Sequence, residues 1–260
     1  MQEKILQKLL AINQEFYQDF AASFSKTRQK IQPGILMLLS ELPTEGNWLE
    51  LGCGTGRLAL EWDRQRRRGY YLGLDFSSQL LENARSGICQ LRISPDLKID
   101  FLQADLTTPD WDSKLPGIQW TGILAFAVLH HIPSHALRVQ LLRKVNHLLD
   151  QQGRFIFSVW QYQHSQKLLN RQVAWEQVGI SADDVEPGDT LMEWRSELKN
   201  DASRMGLRYV HLFTKQELAE LADSTGFQVL DKFDADGFNG KLGHYEIWSK
   251  NTWPFSIQAK

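Results

Sequence analysis

The chain is poor in cysteine: its 260 residues hold two, Cys53 and Cys89. That is too few for a disulfide framework or a zinc spacing. Cys53, set among glycines, is most simply a small residue in a crowded turn. Long apolar runs are also missing. None reaches the ~20 residues of a membrane span, and the charged, amphipathic start has no apolar centre of a signal peptide. The expectation is a soluble cytoplasmic protein. Charge of one sign is lacking too, with 29 Lys+Arg against 31 Asp+Glu and a net charge of −2. No global field therefore draws the chain onto nucleic acid. Internal repeats and low-complexity tracts are absent, and no carboxylate joins His131 and His135 in a zincin-like arrangement, so no metal is expected. The length suits one elaborated domain with a substantial core.

What the sequence does have is Trp48-Leu-Glu-Leu-Gly-Cys-Gly-Thr-Gly-Arg-Leu-Ala-Leu60. A short apolar strand ends in an acid, three glycines follow at alternate positions, and a helix begins. Gly52, Gly54 and Gly56 let the backbone turn tightly and press against a ligand, and the N–H groups of the following helix point back at it. A dinucleotide fold needs its third glycine one residue later, where Arg57 stands, and a P-loop needs a lysine that does not follow.

Tyr70–Asp75 reads as a second apolar strand with an acid at its end, about 25 residues after Glu50, the span of one strand–helix–strand unit. Ser77 caps an amphipathic helix through Arg85. Ile99–Asp105 is a third strand ending in an acid, and Trp120–Pro133 a fourth, running into a loop. Asp75 and Asp105 could equally cap the helices after them. The basic run Arg64–Arg68 reads as a solvated helix end complementing the macrodipole, or else as a phosphate contact. A helix at Ser134–Leu149 follows, and Gly153 turns the chain into the strand Arg154–Trp160.

Upstream, Ile5, Leu6, Leu9 and Leu10 share one helical face that Phe16, Tyr17 and Phe20 continue. Pro33 and Gly34 punctuate the break before an apolar helix at Ile35–Leu42. Downstream, a helical stretch at Lys167–Gln177 and an acidic loop at Asp183–Asp189 form a long insertion between strands, expected as a lid over the substrate side. Thr214-Lys-Gln-Glu217 is a capping box, and Phe227–Leu230 and His244–Trp248 are two last strands. The expected organisation is an N-terminal helical segment (1–45), an α/β core (46–160), a lid (161–208), and a helix with an antiparallel strand pair (209–260).

The glycine loop, with Glu50 as its acid, resembles motif I of the class I S-adenosylmethionine (SAM) methyltransferases, and Ala127-Val-Leu-His-His-Ile132 resembles their fourth-strand motif. The resemblance implies a doubly wound, Rossmann-like α/β fold with a seven-stranded sheet, N-terminal helices and a helical lid insertion. It implies SAM as cofactor, bound by Glu50, Gly52, Cys53, Gly54 and Gly56, by Asp75 at the ribose with Phe76 and Ser77 beside it, by Asp105 at the adenine amino group with Leu106, and by Ala127.

The flanking segments narrow the family. Phe24-Ser-Lys-Thr-Arg28, Ser158-Val-Trp-Gln161, Gly188–Arg195 and Arg208–Leu218 occur in order with the core motifs. Together they resemble the methyltransferases that esterify the carboxymethyl group of wobble uridine in transfer RNA. That resemblance implies a tRNA acceptor, a small partner protein, and Arg28 at the methionine carboxylate of SAM.

A carboxylate acceptor with a pKa near ~4 is already ionised and needs no base. It needs a cation, and Arg195 and Arg208 are the candidates. A hydroxyl acceptor would use a base, His131 or His130. Trp160, Trp175, Trp194 and Tyr209 could wall a planar acceptor or form core beneath the lid. Slight net acidity and the acidic loop, with Glu193 within the Gly188–Arg195 match, point to a small metabolite instead. A non-catalytic SAM-binding subunit is a third reading.

Overall fold

In the computed structural model, which describes residues 1–27, 30–195 and 205–250, the apolar runs pair into one sheet. Helices α1 (Glu3–Thr27) and α2 (Pro33–Glu41) precede it, Pro33 opening α2 at a position where no backbone donor is lost. The core alternates β1 (Glu45–Leu51), α3 (Arg57–Arg64), β2 (Arg68–Asp75), α4 (Ser78–Cys89), β3 (Leu97–Gln103), β4 (Trp120–Phe126), α5 (His135–Leu148) and β5 (Leu149–Trp160). After an insertion containing α6 (Gln166–Leu169), β6 (Gln172–Val173), β7 (Asp189–Arg195) and β8 (Met205–His211) come α7 (Lys215–Ser224), β9 (Phe227–Ala235) and β10 (Gly243–Lys250).

The main sheet has seven strands in the order β3-β2-β1-β4-β5-β10-β9. The first five pair in parallel, and β10 runs antiparallel to both β5 and β9. Both faces are covered, as strand alternation requires. Leu49, Leu51, Phe155 and Phe157 point into one apolar layer, while Trp48, Leu124 and Ile156 point into the other. The doubly wound seven-stranded expectation holds. Because β1, β2, β4 and β5 run in parallel, the glycine loop, Asp75, Ala127 and Trp160 all emerge at one carboxyl edge. Gly153 lies within β5, at an irregularity in its pairing with β4, where an added Cβ would stand 2.9 Å from the Trp120 carbonyl.

The basic run is divided by the fold and lies at the opposite edge. Arg67 is buried, its guanidinium donating to the carbonyls of Leu39, Leu42 and Pro43 at the end of α2 and lying 4.4 Å over the Trp62 ring. It closes orphan helix carbonyls rather than meeting a phosphate. Arg68 pairs with Glu45 at 3.1 Å on the surface.

The insertion corrects the expectation of a helical lid. The Lys167–Gln177 stretch is not one helix. The short α6 gives way to β6, whose Gln172 and Val173 pair with Met192 and Leu191 in a three-stranded antiparallel sheet β6-β7-β8. Trp175 then turns into a cluster with Ile5 and Leu9 of α1 and Leu191 and Tyr209 of the small sheet. Burying that indole against α1 outweighs the local helical preference. No helix among the described residues is long and apolar enough to cross a membrane.

Candidate active site

At the carboxyl edge lies a cavity of about 250 Å³. One wall comes from the strand ends: Glu50, Gly52, Cys53, Gly54, Asp75 and Phe76, Asp105 and Leu106, and Ala127. The facing wall comes from the N-terminal helices, with Leu10, Asn13, Gln14 and Tyr17 of α1 and Gln32 and Ile35 near the start of α2. No residue of the insertion lines it. The insertion backs α1, and α1 covers the cavity.

The glycines divide their work. All three have positive φ, at 70°, 54° and 70° for Gly52, Gly54 and Gly56. A Cβ on Gly52 would stand 2.4 Å from Val128, and one on Gly56 would stand 2.8 Å from Phe101 and 2.9 Å from Ala84. Those two glycines allow close packing of loop on loop and helix on strand. A Cβ on Gly54 would meet nothing of the protein within 4 Å, so this bare stretch of backbone faces the cavity. Gly56 and Ser77 do not line it. Gly56 is the residue before α3, and Ser77 caps α4, its hydroxyl accepting from the Leu80 N–H.

Asp75 is buried and holds the loop. Its Oδ2 accepts from the Gly54 N–H at 2.9 Å and its Oδ1 from the Ser77 N–H at 2.9 Å. Ser77 rather than Asp75 is the helix cap, so the alternative reading of Asp75 falls away. Burial raises its pKa against the pull of those backbone donors. Asp105 likewise caps no helix. It accepts from the Thr107 N–H at 3.0 Å and hydroxyl at 2.6 Å, and from Gln14 of α1 at 3.2 Å. Glu50 is buried beside Asp75 with the Tyr71 hydroxyl donating at 2.5 Å. Burial first, then the Asp75 charge, push its pKa up to about 7 despite that bond. Ala127 sits at φ 57°, unusual for a residue with a Cβ, and its N–H is held by the Ser158 carbonyl and hydroxyl, each at 3.1 Å.

His131 completes one end of the cavity. Its Nδ1 lies 3.1 Å from the Tyr209 carbonyl. A carbonyl can only accept, so Nδ1 carries the proton and, in the neutral ring, Nε2 has the lone pair. The His131 carbonyl accepts from Asn13 of α1 at 3.1 Å, and Asn13 Oδ1 accepts from the Tyr209 N–H at 2.8 Å. One buried asparagine thus ties α1, the His131 turn and β8 together. It occupies the apolar face marked by Leu9 and Phe16, and a polar residue inside that stripe was the legible signal for it.

Behind His131 lies an aromatic and cationic cluster. His130 is buried and stacks on Trp160 with centroids 5.1 Å apart, while the His131 and Trp160 rings are 6.2 Å apart. The buried Arg208 guanidinium lies 4.6 Å over Trp160 and 5.4 Å over Phe16. Trp175, Trp194 and Tyr209 are core side chains, which leaves Trp160, of those four, beside His131, whose nearer aromatic neighbour is Tyr17 of α1 at 5.8 Å. Arg195 does not join the cluster. It is exposed on β7, paired with Glu193, and lines no part of the cavity. Arg28 lies outside the described residues.

Sequence reasoning missed a buried ionic network. Arg138 of α5 is 1% exposed and binds Glu186 at 2.6 Å, Glu217 at 3.5 Å and the Ile132 carbonyl at 3.1 Å. His211 joins Asp189 at 2.7 Å and Glu217 at 3.0 Å, and the Tyr209 hydroxyl donates to Asp189 at 2.6 Å. Thus Glu186 of the acidic loop turns inward and fastens the insertion to α5, while Asp189 turns inward to brace His211 and Tyr209 of β8. The same Glu217 backbone N–H takes the Thr214 cap at 3.0 Å.

Comparison with known proteins agrees with this geometry. Residues 23–232 match a family model described as a methyltransferase domain. The tRNA (carboxymethyluridine(34)-5-O)-methyltransferase of Schizosaccharomyces pombe is 27% identical over 240 residues, covering 86% of this chain and 92% of that protein. The enzyme of the same description from Saccharomyces cerevisiae is 30% identical over 146 residues, 55% of this chain and 46% of that one. Among solved structures, the DhpI-SAM-HEP complex superposes with a TM-score of 0.63 at 19% identity, over 93% of this chain and 97% of that one.

Proposed function

This chain belongs to the methyltransferase-domain family and is a SAM-dependent methyltransferase, and we propose that it methylates the carboxylate of carboxymethyluridine in tRNA. The observation that carries the proposal is the reach of the similarity to the S. pombe enzyme. It covers 86% of the chain, so residues 46–160, under half of it, cannot account for it alone. The similarity extends into the flanks and the insertion, where an acceptor site differs between members of one fold.

The cavity fits the cofactor: bare backbone at Gly54 faces it, and three carboxylates, Glu50, Asp75 and Asp105, line it. When bound, SAM supplies a methyl group on a sulfonium. Asp75 would hold the ribose, because a carboxylate has about four acceptor positions and the backbone N–H groups of Gly54, Ser77 and Phe76 do not fill them all. Asp105 and Leu106 would border the adenine, and Glu50, Cys53 and Ala127 the remainder. The chain's own task is alignment in a site shielded from water, and α1 supplies the cover.

A carboxylate acceptor arrives ionised and asks only for a cation. Neither arginine lines the cavity, but Arg208 is buried over Trp160 in the cluster behind His131, which does, and this supports that role better than the exposed position of Arg195. His131 would then orient the acceptor rather than take a proton. The acidic loop no longer argues for a metabolite, since Glu186 and Asp189 are engaged internally.

The test is methyl-labelled SAM with two acceptor pools, bulk tRNA and an RNA-free metabolite extract. The expected result is label in nuclease-sensitive RNA, released as methanol by mild alkali. Label confined to small molecules would replace the RNA acceptor by a metabolite, and SAM affinity without turnover would leave a binding subunit.

A further inference from the structure

Phe238 is fully exposed, at 110% of its reference area, and no other large hydrophobic side chain among the described residues is as bare. It sits at the tip of the β9–β10 turn, and the turn is built. Asp236, Gly237 and Gly240 have φ of 67°, 71° and 69°. The Leu242 N–H donates to the Asp236 carbonyl at 3.2 Å and the Lys241 N–H to Asn239 Oδ1 at 3.2 Å. The base of the turn is anchored as well: Asp236 accepts from the Gly34 N–H at 3.0 Å and the Tyr245 hydroxyl at 2.5 Å. The ring is therefore held out in water by a fixed loop.

Its position gives that exposure a meaning. Gly34 belongs to α2, which contributes Ile35 to the cavity wall. On the other side, Gly243 pairs with Trp160, the Gln161 N–H donates to the Leu242 carbonyl at 2.8 Å, and Asn239 donates to the His164 carbonyl at 3.3 Å. The turn thus bridges the SAM cavity wall and the Trp160 cluster at the carboxyl edge. From Gln161 to Trp175 the adjoining chain has no acidic residue and carries His164, Lys167 and Arg171, and the turn itself adds Lys241. Against these cations stand Asp236, whose carboxylate is taken up by Gly34 and Tyr245, and Glu193, which faces Arg171 and is paired with Arg195. In a chain of net charge −2 a local excess of cation remains, and its partner is an anion with planar faces.

Resting on the tRNA reading above, we infer that Phe238 is a stacking platform for an unpaired base of the RNA, on a basic surface that leads to the Trp160 cluster. Single-stranded RNA is recognised by bases stacked on exposed aromatic rings while cations meet the backbone. A preset loop keeps the ordering cost of such a contact low. The basic run Arg64–Arg68, which the sequence offered for a phosphate, is at the other edge of the sheet and takes no part.

The test uses the full-length chain with Phe238→Ala and Phe238→Trp, two substitutions of an exposed side chain that leave the core untouched. Methyl transfer to tRNA is measured alongside direct binding of an anticodon stem-loop carrying 2-aminopurine, whose fluorescence is quenched on stacking. For Phe238→Ala, loss of one stacked base predicts about a five- to hundredfold rise in the KM for tRNA, with kcat and SAM affinity unchanged and the quench lost. Phe238→Trp should restore both. Wild-type protein that neither binds nor quenches the stem-loop overturns the inference. So does wild-type methylation of tRNA with an unaltered KM in Phe238→Ala, an outcome that leaves the proposed function standing. Quenching lost in Phe238→Ala without any label in tRNA supports the RNA surface and removes the proposed acceptor.

Discussion

The two walls of the cavity are made in different ways. On the strand-end wall each side chain is fixed within its own loop or the next one: Asp75 by Gly54 and Ser77, and Asp105 chiefly by Thr107. On the α1 side nothing is local. Asn13 reaches His131 and Tyr209, α1 shares a core cluster with the insertion, and the insertion is fastened by Arg138 through Glu186. One wall is a set of short turns that any chain with the motif can form. The other exists only when distant segments are already folded together, so damage there should spread.

Substitutions at two glycines break the comparison most sharply. Gly52→Val forces a Cβ against Val128 at a positive φ, an overpacking of roughly 1–3 kcal/mol added to backbone strain of ~1–2 kcal/mol. Global stability should fall by about 2–5 kcal/mol. The Cβ of Gly54→Val meets no protein atom within 4 Å, so the variant should cost chiefly the ~1–2 kcal/mol of strain, yet abolish SAM binding. Calorimetric titration and thermal melts separate the two. Tight SAM binding by a folded Gly54→Val variant would remove the glycine loop from the cofactor site.

Next in size is Arg138→Ala. Removing one partner of a buried ion network costs roughly 3–5 kcal/mol, and the low end applies because Glu186 and Glu217 are 22% exposed. The KM for the acceptor should rise while SAM affinity stays within a few-fold. Equal loss on both sides would mean that the walls are not separable. Asp75→Ala acts on the other wall, weakening SAM by roughly 1.5–3 kcal/mol, tenfold to over a hundredfold. Because Asp75 also ties Gly54 to Ser77, the substitution should loosen the glycine loop, seen as faster amide exchange there. Unchanged SAM affinity in the folded variant would end its role as the ribose acid.

The same difference explains what could be read from the sequence. Alternating glycines, acids at strand ends and a Ser cap are local patterns, so the sheet, the glycine loop and nine of the lining residues, from Glu50 to Ala127, were legible. The Lys167–Gln177 stretch misled because its helical spacing is overridden at a distance, by Leu191 and Met192 in the register of the small sheet and by Ile5 and Leu9 around Trp175. Arg138 looked like any charged residue on an amphipathic helix. Its partner Glu186 is 48 positions away, and no local period connects them. Asn13 stood between, visible as a polar residue on an apolar face but without an address.

A smaller effect, and one that tests both walls in one experiment, is the pH dependence of stability. Glu50, in the strand-end wall, is raised from its ordinary 4.5 to about 7 by burial. Between those values the folded state keeps a proton that the unfolded chain has lost, so stability falls as pH rises through that window, by on the order of 2–4 kcal/mol. His211, in the insertion, is raised above its ordinary 6.5: burial opposes its charge, but the bonds to Asp189 and Glu217 outweigh both burial and the facing Arg138. Its contribution is fully present below 6.5 and is lost as pH rises through the raised value. Melting temperature should therefore decline through two successive windows. Glu50→Gln, which keeps an acceptor for the Tyr71 hydroxyl, should shrink the lower one, and His211→Asn the upper, which is shared with His244, where burial is outweighed by Glu246 and Asp234 and the pKa is raised as well. A single window removed by either substitution would mean that the two walls titrate as one unit, and their apparent independence would be lost.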